Sequence, residues 1–257
     1  MTTQEVVTTE VINSHVLVVS INRPESRNAV NDAVAHQLAA AMDLFDETPS
    51  LRVGVLTGSG NGFCAGLDLK AFLDGELGEH PDYGFAGLAR RPPRKPLIAA
   101  VEGFALAGGF EIALACDLLV CADDTRLGIP EVKRGLVADG GALLRLPQRI
   151  PRNIAVEMAL TGREVSAVRL HELGLVNVLV RSGEALTSAL ALAVEIAANS
   201  PAAVQASNQV LRAAPTWRAD EQWERQRILV EPVWSSPDAT EGARAFAEKR
   251  QPNFRDG

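Results

Sequence analysis

From Ile98 to Glu131 the chain reads IAAVEGFALAGGFEIALACDLLVCADDTRLGIPE, and no other stretch limits the possible folds as strongly. Ile98 to Val101 is apolar and has the length of a short buried strand. Gly103 to Gly109 is a turn rich in small residues, and Gly109 to Ala115 opens an apolar helix. A helix that starts inside a glycine-rich loop leaves several N–H groups without intrahelical partners, with the positive end of the dipole behind them. An anionic or incipiently anionic oxygen fits such a place. Glu111 follows Gly108 by three residues, so its carboxylate shares a helix face with that N–H. The plainer alternative is that Glu111 is a first-turn acid contributing ~0.3–1 kcal/mol to its own helix.

The flanking pattern predicts an α/β layer structure. VLVVSIN after His15 is a strand, and Asn31 caps a helix over about 32–46, where Val34, Leu38, Ala41, Met42 and Phe45 recur at helical spacing. Val53 to Thr57 is the next buried strand, and strand, helix, strand at this spacing argues against separate helical and sheet domains. Later come a helix capped by Ser166 and stopped near Gly174, a strand from Val176 to Val180, and an alanine-rich helix over about 183–198. Ser200-Pro201 opens a further helix, and the last one spans about 237–249 before Pro252. The three tryptophans (Trp217, Trp223, Trp234) fall in this final part and read first as helix packing.

A net charge of −7 and a pI near 5.2 disfavour nucleic acid or an anionic membrane as the main partner. No apolar run reaches transmembrane length, and residues 1–10, MTTQEVVTTE, lack the regions of a signal peptide, so a cytoplasmic protein is expected. Cys64, Cys116 and Cys121 are odd in number, sit in apolar surroundings and lack metal-ligand spacing, which predicts reduced core cysteines and no metal site.

GSGNGFCAGLDLKAF follows the 53–57 strand. Gly60, Gly62 and Ala65 match G-x-G-x-x-A, but they do not open the first βαβ unit and no acid stands at the end of a following strand, so a dinucleotide site is the weaker reading. Small residues such as Ala65 also let backbone approach a ligand closely, with the Leu67 N–H as a donor, and a tight turn alone is the third reading. There is no G-x-S-x-G elbow and no Walker loop, and the four histidines lie outside any nucleophile motif.

INRPESRNAVN, GNGFCAGLDL, VEGFALAGGFEIALACDLLVCAD with IPEVKRGLVADGG, LTGREVSA with GLVNVLV, and EGARAFAEKRQPNF together resemble the crotonase (enoyl-CoA hydratase/isomerase) family over nearly the whole chain. The resemblance implies a crotonase-type spiral of repeated ββα units in residues 1–199, holding the CoA and acyl site. Residues 200–257 would form a helical region that builds homotrimers, often paired as hexamers, with Phe246 to Lys249 near a neighbour's CoA. It implies an oxyanion hole from the N–H groups of Leu67 and Gly108, with Glu111 and Glu131 flanking a water. Ala65 and the backbone at Leu67, Asp68, Leu69 and Lys70 would bind the acyl-CoA, which is substrate, so no cofactor is expected.

On this resemblance the expected reaction is hydration of a 2-enoyl-CoA to a 3-hydroxyacyl-CoA. The alternatives are an enoyl- or dienoyl-CoA isomerase and a crotonobetainyl-CoA-type hydratase; outside the family they are a nucleotide- or RNA-binding module and a dehydrogenase. Asp139 occupies a site where some relatives place an aspartate, and it is either substrate-binding or a cap for a helix starting near Gly140. Glu131, after Pro130, also suits the first turn of a short helix with no catalytic meaning. Residues 71–96, rich in glycine, proline and mixed charge, are a candidate lid, and Arg90, Arg91, Arg94 and Lys95 read as a solvated face before a phosphate clamp.

Overall fold

The computed structural model describes residues 5–255; residues 1–4 of the N-terminal stretch and the last two of the C-terminal region lie outside the described residues. In chain order the elements are β1 (Val7–Ile12), β2 (Val16–Ile21), α1 (Asp32–Glu47), β3 (Val53–Gly58), α2 (Leu69–Leu73), β4 (Glu79–His80), β5 (Gly84–Phe85), β6 (Leu97–Val101), β7 (Phe104–Leu106) and α3 (Gly108–Ala115). They continue with β8 (Leu118–Ala122), β9 (Arg126–Gly128), a 3₁₀ turn (Pro130–Arg134), α4 (Ala142–Arg149), α5 (Arg152–Thr161), β10 (Val165–Ser166), α6 (Ala167–Glu172), β11 (Val178–Val180) and α7 (Ala185–Ala197). The chain closes with α8 (Pro201–Ala213), α9 (Gln222–Trp234) and α10 (Pro237–Glu248).

Six strands form one sheet in the order β1-β2-β3-β6-β8-β11, antiparallel at the β1 edge and parallel elsewhere. Parallel strands covered on both faces read as unbroken apolar runs, which is why VLVVSI, VGVLTG, LIAAV and LLVCA are so uniformly hydrophobic. Alternate residues divide them between two cores. Val16, Val18, Val53, Val55, Ile98, Ala100 and Val120 face α7, whose Ala189, Ala193 and Ala197 lie one turn apart and let that helix approach the sheet closely. Leu17, Val19, Ile21, Leu56, Ala99, Val101 and Cys121 face the other way, with Phe45 of α1 and Phe110 of α3.

A second sheet, β10-β9-β7, stacks successive ββα turns beside the first. Isolated bridges pair Val30 with Leu67 and Cys64 with Ala105, so the 61–68 loop is laid along β7 just before α3 begins. Asn28, almost wholly buried, holds that loop by donating Nδ2 bonds to Ser59 O and Gly62 O, both at 2.8 Å. All three cysteines are free and buried, as expected. Among the described residues no single helix is long and apolar enough to cross a membrane.

Three expectations need correction. Asp139 caps nothing: α4 begins at Ala142, with Gly141 at its N-cap and no side-chain bond there. Lys95 is not on a solvated face; it is buried and its Nζ donates to Phe45 O and Thr48 O at 2.7 Å, closing the C-terminal end of α1. The tryptophans are not interior packing either, since Trp223 and Trp234 are 74% and 80% exposed in the single chain and Trp217 is only half-buried.

Candidate active site

Between the 61–68 loop, the start of α3, the Pro130–Arg134 turn and the 69–90 segment lies a pocket of about 920 Å³. Ala65, Leu67, Leu69, Gly108, Glu111, Glu131 and Asp139 all border it. Asp68 and Lys70 do not. Asp68 instead caps α2 through bonds from the Lys70 and Ala71 N–H groups, and it pairs with Arg23 at 3.0 Å, while the Lys70 side chain is exposed.

Helix α3 starts abruptly. Ala107 precedes it at φ 52°, ψ −132°, a conformation that costs a non-glycine residue of order 1–3 kcal/mol and persists because its surroundings enforce it. Its N–H is tied to Gly128 O of β9 at 2.9 Å, while its carbonyl accepts from Phe110 and Glu111. The Gly108 N–H has no acceptor among the described residues, and neither has the Leu67 N–H, whose neighbours Gly66 and Asp68 are both engaged with Val30. The two loops touch. A Cβ on Gly66 would fall 2.8 Å from Gly108 N, and one on Gly108 would fall 2.3 Å from the Phe85 ring, so both positions need glycine.

Glu111 and Glu131 are both buried. The Ala142 N–H donates to Glu111 Oε1 at 3.0 Å, and Gly140 packs so tightly that a Cβ there would lie 2.7 Å from Oε2. Burial pushes the Glu111 carboxyl above its ordinary range, against the pull of the Ala142 and Gly140 N–H groups, and the Asp139 charge pushes the same way. Glu131 is held less firmly: neither carboxylate oxygen has a partner at hydrogen-bond geometry among the described residues. Burial raises it from 4.5 to about 7, opposed by its own main-chain N–H and the Arg134 charge and helped by the Glu111 and Asp139 charges. An unpartnered carboxyl beside a cavity is expensive to keep buried without a ligand or water to bond it.

Other side chains complete the lining of the pocket. Phe72, Leu77, Phe85, Leu136 and Val137 give an apolar wall, and Arg27, Arg126, Lys133 and Arg134 place positive charge around the pocket. Glu79 and Arg90 come from the 71–96 segment, their charges 4.0 Å apart, with Asp139 close enough to raise Glu79 further after burial has done so. Arg90 is therefore a pocket residue as well as a surface cation, whereas Arg94 pairs with Asp46 outside the pocket and Arg91 lies over the Tyr83 ring. The G-x-G-x-x-A stretch opens no phosphate-binding helix, because the chain runs on as bridge and loop until α2.

The family model for enoyl-CoA hydratase/isomerase matches residues 11–257. The chain belongs to the enoyl-CoA hydratase/isomerase family. It is 43% identical to an enoyl-CoA hydratase (EchA19) of Mycobacterium tuberculosis over 93% of each chain. It is 40% identical to a carnitinyl-CoA dehydratase of Proteus mirabilis over 93% of this chain and 95% of that one. A crystal structure of an enoyl-CoA hydratase from Mycobacterium tuberculosis superposes with a TM-score of 0.96 at 53% identity, covering 99% of this chain and 100% of the other. The spiral architecture of the family is therefore the architecture of this chain.

Proposed function

We propose that the protein reversibly hydrates a 2-enoyl-CoA thioester to a 3-hydroxyacyl-CoA, a lyase reaction. The observation that carries this reading is the pair of unpartnered Glu131 oxygens in a pocket that also receives Glu111 and the unengaged Gly108 N–H. The thioester oxygen lies between the N–H groups of Leu67 and Gly108. As water attacks Cβ, the electron pair of the double bond moves toward that oxygen, and these two donors stabilise the enolate-like charge. Losing one such donor typically costs ~3–4 kcal/mol.

The attacking water gives its proton to Glu111, whose ionised form the Gly140 and Ala142 N–H groups favour. Glu131 delivers a proton to Cα, and a carboxyl raised to about 7 is still substantially protonated at neutral pH. The proton gained by Glu111 then returns to Glu131, directly or through solvent, so both carboxyls regain their starting states and the net change is addition of one water to the double bond. The two carboxyls titrate as a coupled pair.

The chain at Leu67 to Lys70 takes the CoA adenine through its backbone, with Ala65 leaving room for it, and Arg27, Arg126, Lys133 and Arg134 suit its phosphates. Trimers, or trimers paired as hexamers, cover the tail: Trp223, Trp234 and Phe246 are 74%, 80% and 87% exposed, more than an isolated chain in water tolerates well. The cytoplasm is the proposed location.

A crotonobetainyl-CoA-type hydratase is the second reading, favoured by Asp139 and Glu79 beside the two glutamates, which suit a polar or cationic acyl group better than a long alkyl chain. The test is turnover of a panel of short, long, aromatic and trimethylammonium-bearing enoyl-CoAs, with product NMR. Water addition supports hydration; migration of the double bond without water uptake makes the protein an isomerase, and no turnover of any member removes the reading. Glu111→Gln and Glu131→Gln run beside the wild type, and a variant that keeps the full rate excludes that residue.

A further inference from the structure

Arg145 does not line the pocket, and its side chain is only half-buried on α4. Its guanidinium nevertheless joins two parts of the site that are remote in sequence. Nη1 donates to Gly140 O at 3.3 Å, and Nη2 donates to Ala89 O, 56 residues away. The first carbonyl lies in the loop whose N–H groups hold Glu111. The second lies in the 84–90 segment, which sets Phe85 against Gly108 and brings Arg90 to the pocket. Gly141 is at φ 109°, and a Cβ there would fall 2.1 Å from Nη1, so the guanidinium sits close against this loop. The loop and the arginine are thus fitted to each other.

We propose that Arg145 is a positioning residue: its planar fork locks the Gly140–Ala142 loop, and with it the Glu111 carboxylate, against the Phe85 wall of the pocket. A guanidinium holds two carbonyls in a fixed geometry, which a lysine, a point charge on a flexible stem, does not reproduce. The charge also counts, because Arg145 faces Glu111 while Asp139 and Glu131 face it with the opposite sign. The role in catalysis presupposes the hydratase reading of Glu111, and the test separates the two.

Wild type, Arg145→Lys and Arg145→Met are compared by two measurements. One is steady-state hydration of crotonyl-CoA. The other is the titration midpoint of the Glu111 carboxyl in the free proteins, by side-chain ¹³C NMR assigned with Glu111→Gln. Arg145→Met is expected to lose about tenfold or more in kcat with KM little changed, as misplacement of a catalytic group does, and to move the Glu111 midpoint upward. Arg145→Lys is expected to keep the midpoint near that of wild type but to recover only part of kcat. Wild-type kcat and an unmoved midpoint in folded Arg145→Met overturn the proposal. Should that variant not fold, a fully active Arg145→Lys overturns it. Should the wild type hydrate no enoyl-CoA, the hydratase reading falls, and an unmoved Glu111 midpoint in Arg145→Met then removes the positioning role by itself.

Discussion

Replacing Glu131 with glutamine tests how strongly the fold opposes its charge. The carboxyl is 8% exposed, its oxygens lack partners, and burial raises it from 4.5 to about 7. Each tenfold change in proton affinity corresponds to ~1.4 kcal/mol, so this rise amounts to ~3 kcal/mol between the two protonation states. The sign follows from proton counting. Between pH 4.5 and 7 the folded protein binds the proton that the unfolded chain has released, so stability falls as pH rises through that window and levels off above it.

Glutamine cannot ionise. The difference in unfolding free energy between wild type and Glu131→Gln should therefore change by ~3 kcal/mol between pH 4.5 and 8, in the direction that favours the variant at the higher pH. The amide's own cost of burial offsets the whole difference curve without bending it. Urea unfolding across that range, at one fixed protein concentration, measures the curve. A flat difference would mean that Glu131 is solvated or bonded in the native state, and its assignment as a proton donor held near neutrality would fall with it.

Gly140→Ala places a Cβ 2.7 Å from Glu111 Oε2 at a backbone conformation alanine accepts; kcat should fall about tenfold or more while the melting temperature changes little, as kinetics and thermal unfolding will show. Lys95→Met removes the donor to Phe45 O and Thr48 O and should destabilise the protein by ~2 kcal/mol with kcat unchanged, read by urea unfolding beside a rate assay. Burial penalises ionised Asp68, but Arg23 and two N–H bonds outweigh it and hold the carboxyl below 3.8. Its stabilising effect is full above that value and is lost as pH falls through the lower folded value. Asp68→Asn should therefore be less stable than wild type at pH 7 and converge with it in acid, measured by denaturation at both ends.

What was legible in the sequence was local. Asn31 and Ser166 declare themselves as caps because a cap needs only its own side chain and an N–H three residues on, and both bonds are present. The strands of the large sheet are readable because burial on both faces leaves no polar alternation. The pocket residues at Leu67, Gly108, Glu111 and Glu131 stand in motifs, and those four positions border one cavity. Lys95 was misread because its acceptors lie 47 and 50 residues away at the end of another helix. Of the two readings of Asp139 only the cap fails, because α4 begins at Ala142, two residues later than the glycines suggest, while the residue itself borders the pocket. Glu79 and Phe85 reach the site through contacts that follow no periodicity, and the bond from Arg145 to Ala89 O spans 56 residues, which no local pattern reveals.

In the proposed mechanism the donors at Leu67 and Gly108 are main-chain groups, which side-chain substitution leaves in place. A library that varies Phe72, Leu77, Leu136 or Val137 reshapes the cavity while every member keeps the same two amides. On that proposal, selectivity for the acyl group is separable from polarisation of the thioester, whereas a single methyl group added at Gly66 or Gly108 crowds the two loops that carry the amides.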